Sequence, residues 1–146
     1  MPPITRWFIK AGLIWFITGM ILAFLAELPL LSAGSLLLPV YWHMLVVGWI
    51  TQIIMGVSIW MFPRKKRDRL KKQSVRTVLS FVLLNSGLAL RFLCEPFIPM
   101  FRGESMITLF VLISSLLQVL GILFYTIEIW PRLQPKSSRL KNPGRS

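Results

Sequence analysis

A chain of 146 residues that is 55% hydrophobic, with a mean hydropathy of +0.67, is too apolar to be a water-soluble globular domain of its size. Its net charge of +12 would suit a nucleic-acid binder, but the cations gather in short stretches beside long apolar runs, so they mark membrane orientation and no nucleic-acid partner is expected. A single cysteine, Cys94, excludes an intrachain disulfide or a thiolate metal cluster.

Four segments have the roughly 20 apolar residues that a bilayer span needs: about 4–31, 39–62, 75–93 and 106–130. The expected fold is all-α, one integral-membrane four-helix bundle over residues 1–146, with a basic loop at 63–74 and a basic tail at 131–146. The first span follows a basic beginning, MPPITRWFIK. Its apolar run is longer than a signal h-region, and Glu27-Leu28-Pro29 lacks a small-residue cleavage pattern, so it reads as a retained span. Gly12, Gly19, Ala23 and Ala26 fall on one helical face, which either admits another helix closely or leaves room for a flat ligand. Pro39 then suits the first turn of the second span, where a missing N–H costs nothing.

The second span carries His43, the only histidine. Four residues past Pro39, it lies about 6 Å inside the boundary. Ionisable groups in spans are costly and default to a functional reading. Helical spacing gives His43 an apolar wall of Val46, Val47 and Ile50, with Trp42 and Trp49 nearby. Such surroundings suit a porphyrin, and equally a histidine hydrogen-bonded to a neighbouring helix. Eight Lys/Arg follow, at 64–67, 69, 71, 72 and 76.

In the third span, NSGLALRFLCEP places Arg91 at the depth of His43. It is expected to hold a carboxylate such as a heme propionate, or to pair with Glu27 or Glu95. The fourth span aligns Ser114, Gln118, Gly121, Tyr125 and Glu128 in one polar stripe, read as interhelical hydrogen bonding or a proton or quinone path. Five more Lys/Arg follow it. The opposite loops are nearly free of cations, so the positive-inside rule predicts the inner (cytoplasmic) membrane with both termini cytoplasmic and His43 near the other face. WMFPR and IWPR, ending the second and fourth spans, hint at a duplicated hairpin in which Val111 replaces His43.

HMLVVGWITQIIMGV followed by WMFPR resembles the heme-ligand helix of heme-copper oxidase catalytic subunits, nearest the C-type oxidases and nitric oxide reductases, and their short four-helix relatives. The resemblance implies that His43, five residues before Gly48-Trp49, is an axial ligand of a non-covalent heme b. Tyr41 stands where many short relatives have a second histidine. No further histidine exists, which excludes a binuclear oxygen-reducing centre. The leading reading is a single-electron b-type cytochrome whose heme is bound by His43, Arg91, Trp42, Val46, Val47 and Ile50. A gas (O2/NO) sensor and a heme-free accessory subunit are the alternatives. One histidine per chain leaves the sixth iron position to a second His43, to Met106 or Met100, or open, Met44 pointing to another face. The small-residue stripes and the polar stripe suggest a homo-oligomer, a dimer first, beside a redox partner or quinone.

Overall fold

The computed structural model describes residues 2–28, 34–62, 74–97 and 105–133, and among them all regular structure is helical. The helices are α1 (Pro3–Ala26), α2 (34–61), α3 (Val75–Cys94, closed by a 3-10 turn at Glu95–Phe97) and α4 (Ser105–Leu133). Four helices are long and apolar enough to cross a membrane. The basic loop and most of the basic tail lie outside the described residues.

Two boundaries differ from expectation. α1 stops at Ala26 rather than near 31, because Pro29 disfavours helical backbone at Leu28 and cannot donate into a turn. α2 begins at Gly34, so Pro39 sits inside the helix instead of in its first turn. A span tolerates such a proline when neighbouring groups satisfy the freed carbonyls.

The larger departure lies inside α2. Residues Gly34–His43 and Gln52–Met61 are α-helical, but Met44–Thr51 between them is a π-helix. The Thr51 hydroxyl reaches back five residues to the Val46 carbonyl at 2.9 Å. His43 and Gln52 are nine residues apart. In an α-helix that is about two and a half turns and opposite faces; at the roughly 4.4 residues per turn of i→i+5 bonding it is about two turns and one face. Both side chains accordingly meet α3, His43 at Arg91 and Gln52 at Asn85. The same rewinding undoes the expected wall: Val46 and Ile50 turn to the outside of the bundle, 44% and 45% exposed, and only Val47 packs toward the core. Trp42, in the α-helical turn before it, is 54% exposed.

The bundle is two antiparallel hairpins. In α1 and α2 the backbones close through small residues: a Cβ on Gly48 would lie 2.7 Å from Cβ of Trp15, and Gly12 and Gly19 face Ile53 and Leu45. The small face of α1 is thus filled by α2. In α3 and α4 a Cβ on Gly87 would lie 2.9 Å from the Ser114 carbonyl oxygen. Ser114 donates to the Gly87 carbonyl at 2.8 Å and Ser80 to that of Gly121 at 2.7 Å. The hairpins meet over Ile4, Phe8, Val40, Met44, Met55, Ile59, Leu84 and Leu88, with the rings of Phe8 and Phe81 edge-on at 5.1 Å.

Gly87→Ala places a methyl against backbone that cannot yield without separating α3 from α4. It is expected to cost about 1–3 kcal/mol, whereas Ser86→Ala on the exposed side of the same turn stays within about 0.5 kcal/mol. Unfolding in mixed detergent micelles compares the two.

Candidate functional site

The chemistry-bearing side chains collect where α2, α3 and α4 meet at the His43 end of the bundle. Within α2, the His43 ring folds back along its own helix, with Nδ1 2.7 Å from the Pro39 carbonyl oxygen. A carbonyl only accepts, so Nδ1 carries the hydrogen and donates, and Nε2 keeps the lone pair. Arg91, projecting from α3, donates to that lone pair through Nη1 at 3.0 Å. The ring is therefore the neutral Nδ1–H tautomer, fixed at both nitrogens.

Arg91 is anchored on two further sides. Nη1 also donates to Glu95 Oε1 at 3.1 Å, one turn along, and Nη2 donates to the Ser115 hydroxyl of α4, which donates in turn to the Val111 carbonyl at 3.0 Å. Arg91 and Glu95 are only 11% and 8% exposed. Of the two partners the sequence leaves open for Arg91, the nearby glutamate is thus present. The pair is incomplete: Arg91 Nε and Glu95 Oε2 are buried with no hydrogen-bond partner, and Oε2 lies 3.7 Å from His43 Nδ1, beyond hydrogen-bond reach.

Further along the seam, a second polar group joins the hairpins. Trp15 Nε1 donates to Asn85 Oδ1 at 2.8 Å, and Gln52 Nε2 donates to the same oxygen at 3.1 Å. Asn85 Nδ2 donates to Gln52 Oε1 at 3.3 Å and to the Phe81 carbonyl at 2.9 Å. Trp15 can only donate, so it fixes the orientation of both amides. Sequence reasoning passed over Trp15, Gln52, Asn85 and Ser115; the legible signal was a lone amide in each of two apolar spans. At the opposite end the Tyr125 and Ser58 hydroxyls are hydrogen-bonded, Ser74 donates to Glu128 Oε2 at 2.7 Å, and Arg132 binds Glu128 and the Phe62 carbonyl. The polar stripe of α4 is thereby occupied in holding helices together.

Of the residues expected around a porphyrin, the structure brings His43 and Arg91 together and leaves Trp42, Val46 and Ile50 outside. Met44 is fully buried and Met106 is exposed; Met100 lies outside the described residues. Among the described residues no three of His, Cys, Asp and Glu converge as metal ligands. The donor set therefore suits a group needing one imidazole nitrogen. The tautomer is right for it, since an Nδ1–H tied to a carbonyl is the usual support of a metal-bound histidine. The lone pair, however, is already engaged by Arg91. Both small-residue faces and the polar stripe are consumed within the chain and lend no support to a homo-oligomer. Compared with family models, curated proteins and solved structures, the chain matches none.

Glu95→Gln leaves the Arg91 guanidinium buried without its counter-charge and is expected to cost about 3–5 kcal/mol. Arg91→Met with Glu95→Gln removes both charges and recovers most of that loss. Unfolding free energies of the three proteins, measured in the same micelles, give the comparison.

Proposed function

We propose that this chain is a b-type heme-binding protein of the cytoplasmic membrane that carries single electrons, with His43 Nε2 as axial donor and Arg91 holding a propionate. The observation that supports it is the tautomer of His43. The Pro39 carbonyl accepts from Nδ1–H, so the remaining nitrogen is a lone-pair donor of fixed direction, and the carbonyl raises its basicity. A heme held there supplies one-electron chemistry at a potential set by its axial ligand, hydrogen bonds and burial. The chain's own residues orient the imidazole, neutralise the guanidinium through Glu95 and steady it through Ser115. The resemblance of the His43 helix to oxidase heme-ligand helices supports the same reading.

Thirteen Lys/Arg flank the ends of the spans opposite His43, which supports cytoplasmic termini and a heme near the extracytoplasmic face. A single histidine leaves the sixth position open to a second copy, a methionine or a gas. A heme-free reading, in which the cluster only joins the hairpins, is favoured by one observation: Arg91 already occupies the Nε2 lone pair.

The optical spectrum of the purified protein tests the proposal. A Soret band that His43→Ala abolishes supports it, and the heme-to-chain ratio reports whether one iron serves one chain or two. A full, unchanged Soret band in His43→Ala, or none in the unmodified protein, removes His43 from this role. Orientation is checked separately: a reporter that works only outside the cytoplasm is expected to be silent when fused after Lys72.

A further inference from the structure

We infer that Arg6 and Lys10 form a docking site on the outer side of α1 for the phosphate of an anionic phospholipid, a site that stands whether or not the chain holds heme. The two lie four residues apart on one face of the helix, and both are exposed. The other sides of α1 are taken by protein: Gly12 and Gly19 lie against α2, and the rings of Trp7 and Phe8 lie against Phe81 of α3. Exposed Trp7, Trp60 and Trp130 collect at this end of the bundle, which marks it as the level where amphipathic rings meet headgroups. Arg6 therefore stands at the headgroup boundary, and Lys10, three residues past Trp7, is rooted about 4.5 Å deeper. Side chains on a helix lean toward its N-terminus, so the lysine stem runs back over the turn of Arg6 and brings its ammonium up beside the guanidinium.

Like charges at this spacing repel, and more strongly at the edge of hydrocarbon than in water. The protein supplies no anion to separate them. Among the described residues neither cation has a hydrogen-bond or ion-pair partner, α1 itself contains no acid, Glu27 stands at its far end, and Glu95 and Glu128 are paired with Arg91 and Arg132. A phosphodiester meets both needs: the guanidinium fork engages its two free oxygens, and the ammonium balances it as a point charge. The lipid has to be net negative, because a choline or ethanolamine headgroup would bring a third cation to the pair. The surface beyond the cations completes the fit. Ile14, Ile17 and Ile21 continue the face of Lys10 at i+4, i+7 and i+11, and all are exposed. From Lys10 to Ile21 the helix rises about 16 Å, half of the roughly 30 Å hydrocarbon core. One acyl chain of a single leaflet thus lies along this stripe while its phosphate rests on the two cations.

The test is native mass spectrometry of the full chain in a non-ionic detergent, titrated with phosphatidylglycerol or with phosphatidylcholine of the same acyl chains. The unmodified protein is expected to hold its first phosphatidylglycerol at least about tenfold more tightly than phosphatidylcholine, the scale set by two cations near a headgroup. Arg6→Gln with Lys10→Gln loses that preference while phosphatidylcholine binding stays the same, and Lys10→Leu, which suits a lipid-facing position, loses most of it. Arg76→Gln removes an exposed cation at the same end of the bundle, on α3, and leaves the preference in place. Unchanged circular dichroism shows that each variant is folded. Equal retention of the two lipids by the unmodified protein overturns the inference. So does a preference that survives in the neutralised α1 variants, or one that falls as far in Arg76→Gln, since a diffuse basic field then draws the lipid.

Discussion

The guanidinium of Arg91 is the group around which the His43 end of the bundle is arranged. It cannot shed its charge, and it is almost wholly enclosed in a span. Hydrocarbon offers it nothing, so every acceptor has to come from the protein. Glu95 supplies the opposite charge from one turn along, Ser115 reaches in from α4, and the imidazole of His43 reaches in from α2. One cation thereby fixes three helices at one level and decides which nitrogen of the histidine keeps its lone pair.

Two kinds of contact divide the work of holding the spans. Inside each hairpin small residues let backbones approach, and between α3 and α4 serine hydroxyls also bridge to carbonyls across the gap. Between the hairpins, the specific contacts are mostly side chain to side chain: His43 to Arg91, Gln52 and Trp15 to Asn85, Ser58 to Tyr125, with Arg132 to the Phe62 carbonyl the one to backbone among those described. Apolar packing is poor at setting register in lipid, since the surrounding chains are as apolar as the core. Polar pairs set it, because a slip of one helix past another strands a donor or an acceptor. The π segment of α2 follows from the same requirement, as it is what allows His43 and Gln52 to address α3 together.

Much of the fold was legible from the chain. Four apolar runs correspond to four helices long and apolar enough to cross a membrane, and of the two readings open for the glycine face of α1 and for the polar stripe of α4 the contacts match packing. Arg91 was placed at the level of His43 by counting along an antiparallel bundle, and the structure puts them in contact. What failed depended on assuming 3.6 residues per turn throughout. Val46 and Ile50 belong beside His43 only if α2 is a regular α-helix, and nothing in MLVVGWIT announces i→i+5 bonding; Trp42 lies in the α-helical turn before that stretch and faces outward there. The contacts that accompany it lie on other helices: Arg91 and Asn85 on α3, and Trp15 of α1 against Gly48. Pro39 misled for a similar reason, since a proline preferred in first turns is also tolerated inside a span.

The rewound stretch of α2 also makes this helix unlike the other three in how it responds to loss of a residue. In a regular α-helix, removing one residue turns everything beyond it by about 100°, which would swing half of a polar seam into lipid. Between Met44 and Thr51 the backbone already holds more residues per turn than an α-helix needs. Shortening that stretch by two lets it relax toward α geometry with His43 and Gln52 seven residues, or about two α turns, apart, which returns their faces close to the present alignment. An in-frame loss of two codons is thus better absorbed here than at the matching depth of α1, α3 or α4, so length variation in this protein should concentrate in the helix that carries its only histidine.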